Sequence, residues 1–326
     1  MRRRSPVAVL SLVLAGLVGL TAAAPAASAA PSFGRYVALG DSYTAGPLIP
    51  WQRASWCFRS NNNYPSWLAT RLGLYDAPGG FTDASCSSAD TTNMTAAQVT
   101  PSPDIPLSTQ SPQFDALTLD TDLVTIGIGG NDYGVFGSLV GTCPTLRAAD
   151  PAGSPCKAHY TVGGVDTMTA AVQHTGHNVA KVIRGVREHS PGAKIVLVGY
   201  PRLVPPHGYC PSVVPLSDGD YAWADQVERA LNAAIESAAK QEKAQFVDTY
   251  GPSLGHDACA GDAAWVAGQS TNLFAAAAFH PYRAGMEAEA ALIAKALGVR
   301  GKSGAPTARD AAQPDQVARM ARTAGL

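Results

Sequence analysis

Two hydrophobic periods alternate along the chain. Short, nearly unbroken apolar runs occur at Tyr36–Gly40 (YVALG), Asp122–Ile128 (DLVTIGI), Ala193–Gly199 (AKIVLVG) and Gln245–Asp248 (QFVD). Runs of this length without polar alternation are what strands buried on both faces require. Between them, apolar residues recur at helical spacing over Asn61–Leu72, Val165–Arg187, Tyr221–Glu242 and Arg283–Leu297. Pro65 is tolerable in the first turn of its helix, and Pro191 follows the second. Strands separated by long helices predict βαβ units: an α/β fold, mainly parallel, with helices on both faces of the sheet. No break in composition divides residues 30–298, which are read as one domain. In such sheets ligands sit outside the C-terminal ends of the strands.

The two ends of the chain read differently. Arg2, Arg3 and Arg4 precede an apolar run from Val7 to Leu20, then small residues ending Ala27-Ser28-Ala29. This is the layout of a secretory signal peptide, residues 1–29, and the run is shorter than the ~20 residues of a membrane-spanning helix. The expectation is a secreted, extracellular protein without a stable membrane anchor. Residues 299–326, rich in Gly, Ala, Pro and Arg, read as a flexible basic tail in which Asp315–Ala324 could form a brief helix.

Composition narrows the class. Of 326 residues 46% are hydrophobic and 15% charged, with a formal net charge of −1. That apolar share supports a large core, and a chain without a basic field has no electrostatic basis for binding nucleic acid. Cys57, Cys86, Cys143, Cys156, Cys210 and Cys259 form an even set with no C-x-x-C pair, which in an oxidising compartment favours disulfides over metal ligation. Six cysteines allow about 15 pairings. Sequential pairing is preferred because each pair then brackets a loop-rich stretch.

Chemistry is sought at the predicted strand ends. Ser42 follows the first strand within Gly40-Asp41-Ser42-Tyr43, Asn131 follows the second within Gly129-Gly130-Asn131-Asp132, and His280 sits before the last helix in Phe279-His280-Pro281. Singly, these read as a helix cap, an Asx turn and a surface histidine. Together they put a hydroxyl, an amide donor and an imidazole on three loops at one sheet edge. Acyl transfer from an ester needs that set. His174 and His177 lack an acidic partner for a metal site, and no metal or cofactor is expected.

These motifs, in this order, resemble the SGNH (GDSL-like) hydrolases, specifically their secreted bacterial esterase and lipase branch, over Tyr36 to Leu297. The resemblance implies a three-layer sandwich, a nucleophile at Ser42, a base at His280 and an oxyanion hole from the N–H groups of Ser42, Ser88 and Asn131. It also implies three sequential disulfides and a monomer acting on a lipid or other small ester. Two departures stand out. Ser88, within Cys86-Ser87-Ser88-Ala89, replaces a glycine of the family, and Ala277 replaces the acid that usually lies three residues before the histidine. A Ser–His dyad is therefore expected, with the Ala277 main-chain carbonyl orienting the imidazole; Asp257 and Asp262 are the remaining carboxylate candidates. Three rivals stand beside this reading. An α/β-hydrolase would need Gly-x-Ser-x-Gly, which the chain lacks. A carbohydrate (acetyl) esterase would share the fold. A secreted carbohydrate-binding protein without catalysis would use Trp51, Trp56, Trp67, Trp223 and Trp265 as stacking platforms.

Overall fold

Five parallel strands form the central sheet: β1 (Tyr36–Gly40), β2 (Phe81–Asp83), β3 (Leu123–Gly127), β4 (Lys194–Val198) and β5 (Gln245–Val247). The computed structural model describes residues 32–102, 105–299 and 304–326; the segment assigned to export, residues 1–29, lies outside them. In space the order is β2-β1-β3-β4-β5. The chain leaves β1 on one side for β2 and returns on the other for β3, so the order reverses between β1 and β3. Gly40 pairs with Gly127, so the two strands end level, and the crevice at this switch point is where a ligand fits.

The strands are buried on both faces, and alternate residues go to opposite layers. Val37, Leu39, Val124, Ile126, Ile195 and Leu197 pack beneath α3 (Thr167–His189) and α4 (Tyr221–Gln241). Tyr36, Ala38, Leu123, Val196 and Val198 pack against α2 (Tyr64–Leu72) and α5 (Arg283–Ala296). This is the expected three-layer α/β sandwich, in one domain. Helix α2 starts three residues later than its periodicity suggests. Asn63 is the residue that caps it, accepting from Ser66 N at 3.0 Å, while Asn61 and Asn62 bond Arg53 and Pro50 of the preceding loop.

Short pieces were invisible to periodicity: β2, the hairpin of Gln98–Ser102 with Ile105–Gln110, and a two-residue pairing of Thr161–Val162 with Val165–Asp166. Cys57 bonds Cys86, Cys143 bonds Cys156, and Cys210 bonds Cys259.

Within the C-terminal tail, the brief helix allowed for at Asp315–Ala324 is present and begins one residue earlier. Pro314–Ala324 form a helix, α6, closed by Gly325 in the left-handed conformation. Val317 and Ala321, one turn apart, are buried against Leu48, Phe58 and Ala277. Small apolar residues at that spacing hold the helix although the segment as a whole is polar.

Candidate active site

At the end of β1 the backbone is packed too closely for a side chain. A Cβ on Gly40 would lie 2.1 Å from Thr44 Oγ1 and 2.5 Å from the Gly127 carbonyl. The Gln113 side chain braces this point, accepting from Gly40 N at 2.8 Å and donating to Gly40 O at 2.9 Å. Asp41 then caps the one-turn helix α1 (Ser42–Ala45), its carboxylate accepting from Tyr43 N at 2.9 Å. Ser42 is thereby held at the carboxyl edge of the sheet.

The loop after β3 is tied to the same place. Tyr200, just past β4, donates its hydroxyl proton to Asp41 and accepts from Gly130 N at 2.9 Å. Asn131 donates from Nδ2 to the Ala89 carbonyl at 2.9 Å, which fixes its amide beside the loop carrying Ser88. Ser88 adopts φ +65°, the left-handed conformation that favours glycine. Its amide N–H, like that of Ser42, is taken by no backbone carbonyl among the described residues. The Cys57–Cys86 disulfide and the Gln98 side chain, which donates to Ser87 O at 2.7 Å, hold this loop from beneath.

The histidine arrives from the opposite side. Tyr43 donates its hydroxyl to the Phe279 carbonyl at 2.6 Å, linking the two loops. Phe279 has φ +61°, and that twist sets which carbonyl faces the ring. The expected orienter, Ala277, is not it: its carbonyl accepts from His280's own amide at 3.2 Å. Nδ1 of His280 lies 2.7 Å from the Ala278 carbonyl instead. A carbonyl only accepts, so Nδ1 carries the proton and Nε2 is left as the basic nitrogen. Asp257 is engaged elsewhere, accepting from Cys259 N at 3.0 Å. Burial pushes the imidazole down to about 4, with the Ala278 carbonyl opposing that shift. A neutral, acceptor-ready ring results.

Ser42, Ser88, Asn131 and His280 line a single cavity of about 200 Å3. Pro47, Trp56, Phe58, Phe136, Ala324 and Leu326 supply its apolar walls. Phe136 packs edge-on against Tyr43 and His280, with centroids 5.5 and 5.7 Å apart. A second, smaller chamber of about 40 Å3 opens past Ser42, lined by Val135, Leu139, Leu203, Val227 and Leu231. Glu228 reaches this chamber too, and burial pushes its carboxyl up to about 8. No group of three or more His, Cys, Asp or Glu side chains among the described residues could hold a metal ion.

Residues 38–288 match the GDSL-like Lipase/Acylhydrolase family. The chain belongs to that family. Lipase 2 of Streptomyces coelicolor is 36% identical over 258 residues, covering 78% of this chain and 82% of its own. Among solved structures, phospholipase A1 from Streptomyces albidoflavus superposes with a TM-score of 0.63 at 27% identity, covering 81% of this chain and 99% of that one. The extracellular lipase from Streptomyces rimosus gives 0.63 at 26% identity, with 80% and 99% covered. As a GDSL-like acylhydrolase the chain is a carboxylic ester hydrolase. Of the five tryptophans, Trp67 and Trp223 are buried, Trp56 lines the cavity, Trp265 stacks on His256 and Trp51 is 40% exposed.

The GDSL-like motifs located Ser42 and His280 but not the groups that hold them. Tyr200 lies two residues past the end of β4, so the strand-end rule that found Ser42 and Asn131 points to it as well. Gln113, in a loop without a motif, leaves no comparable signal.

Proposed function

We propose that this chain is a secreted serine esterase or lipase that cleaves carboxylic esters through an acyl-enzyme on Ser42. Support comes from one observation above all: Ser42, Ser88, Asn131 and His280 converge on one cavity, with His280 Nδ1 committed to a main-chain carbonyl. Ser42 Oγ attacks the ester carbonyl carbon while its proton passes to Nε2 of His280. Negative charge grows on the former carbonyl oxygen, and the amides of Ser42 and Ser88 with Asn131 Nδ2 are the donors for it. Collapse expels the alcohol, which takes the proton from His280. Water, deprotonated by the same nitrogen, then releases the acid and restores Ser42.

The fatty-acyl reading rests on the apolar cavity wall and on the lipase and phospholipase names of the relatives. Secretion rests on the N-terminal segment, the three disulfides and the extracellular lipase among the structural neighbours. The test is a panel of esters from acetyl to long acyl, with glycerides, phospholipid and acetylated polysaccharide, run on wild type and Ser42→Ala. Turnover of acyl esters that disappears in the folded variant is the expected result. Turnover retained by Ser42→Ala would overturn the nucleophile, and hydrolysis confined to acetylated polysaccharide would overturn the lipid reading.

A further inference from the structure

Helix α6 lies beyond residue 288, outside the family match, yet it reaches the cavity that holds Ser42 and His280. The strand of chain leading to it is fastened along the way. Tyr75 Oη donates to Thr307 O at 3.0 Å, Arg309 donates to Tyr75 O at 2.7 Å, and Ala312 N donates to Gln52 O at 2.7 Å. Val317 and Ala321 then seat the helix on Leu48, Phe58 and Ala277. Those three residues belong to the loop after Ser42, the Cys57 loop and the loop before His280, which are the segments that border the cavity. Beyond this seat, Ala324 and Leu326 themselves line it.

Resting on the ester-hydrolase reading above, we propose that α6 and Leu326 form the acyl-side wall of the cavity and set the chain length it accepts. The wall joins Ala324 and Leu326 to Pro47, Trp56 and Phe58. Its side chains are hydrocarbon apart from the Trp56 indole N–H, so a polar alcohol or headgroup would find one donor there and lose most of its hydration, whereas a hydrocarbon chain would lose none. Size separates this space from the chamber beyond Phe136. That chamber has about 40 Å3, on the order of three waters, against about 200 Å3 here. The roomier of the two is the one assigned to an extended acyl chain. The polar lining of the same cavity, Ser87, Ser88 and Asn131, falls to the reacting carbonyl.

The experiment compares kcat/KM for octanoyl and acetyl nitrophenyl esters in the full chain and in two variants. Leu326→Ala withdraws wall contact, and the octanoyl-to-acetyl ratio falls about tenfold, the scale of one or two apolar carbons in a pocket. Ala324→Trp fills the space, and the ratio falls by at least as much. Leu326 is 39% exposed and both sites lie at the end of α6, so melting temperatures stay within a few degrees of wild type. A ratio unchanged in both variants overturns the proposal. So does a ratio that rises in Leu326→Ala, which would make α6 a plug. A wild-type chain inert on every ester would instead sink the underlying hydrolase reading, before any variant is made.

Discussion

Two residues at the site carry different burdens, and substitution separates them. In the proposed mechanism Ser88 contributes a backbone N–H, and it does so from a left-handed conformation, φ +65°, in which a Cβ is a liability. Ser88→Gly keeps the donor and removes the strain, so it should raise stability by about 0.5–1 kcal/mol in denaturant titrations with kcat preserved. A large fall in kcat would mean that the serine side chain itself takes part. His280 makes a prediction of the opposite sort. Its imidazole is pushed down to about 4 by burial, and the base must be neutral to act. The acid limb of kcat/KM should therefore lie near pH 4, not near the ordinary histidine value of about 6.5. An acid limb at 6.5 would show that the ring is hydrated when it works. Replacing His280 by alanine should cost roughly 10^4-fold in turnover or more. Ser42, Asn131 and His280 were legible because each follows a motif at an element end. The orienting carbonyl was not, since the choice of Ala278 over Ala277 follows from the Phe279 backbone twist, which sequence spacing does not reveal.

At the scale of elements, the three disulfides sit at different distances from the chemistry. Cys57–Cys86 closes 29 residues and ties the segment after Ser42 to the loop of Ser88. Cys210–Cys259 closes 49 residues at a site with no cavity-lining neighbour in sequence. Each should contribute about 2–4 kcal/mol by restricting the unfolded chain. The paired Cys→Ser variants should differ in kinetics: losing Cys57–Cys86 lowers the melting temperature and kcat together, while losing Cys210–Cys259 lowers the melting temperature alone. Equal effects on kcat would leave the Ser88 loop with no special dependence on its disulfide. The long helices and four of the five sheet strands could be read from periodicity, because burial against a continuous core imposes 3.6- and run-type patterns over many residues. Strand β2 has only three residues, too few for a pattern. Helix α6 left a weak signal for a related reason. Its buried stripe is chiefly Val317 and Ala321, and what makes it a helix is the apolar seat that Leu48, Phe58 and Ala277 provide from distant parts of the chain.

For the whole molecule, the core carries acidity that the near-neutral net charge conceals. Asp41 and Glu289 are withdrawn from water and Glu228 is half-buried; burial raises all three, Asp41 to about 7 and Glu228 to about 8. Asp41 and Glu228 accept main-chain N–H bonds near the cavity. Glu289, on α5, is 2% exposed and its Oε1 has no hydrogen-bond partner, with the Asp41 carboxyl adding to its shift. A carboxyl whose folded pKa lies above its unfolded value holds its proton in the native state after the unfolded chain has released it. Its contribution to stability is therefore greatest at acid pH and declines as pH rises above about 4.5, by about 1.4 kcal/mol per unit until the folded group also ionises. Glu289→Gln removes the titration and retains the shape. The variant should melt with wild type at pH 4 and progressively above it towards pH 8, and differential scanning calorimetry across that range measures the gap. A gap independent of pH would show that Glu289 is already ionised in the folded protein, and that its burial is offset by a partner.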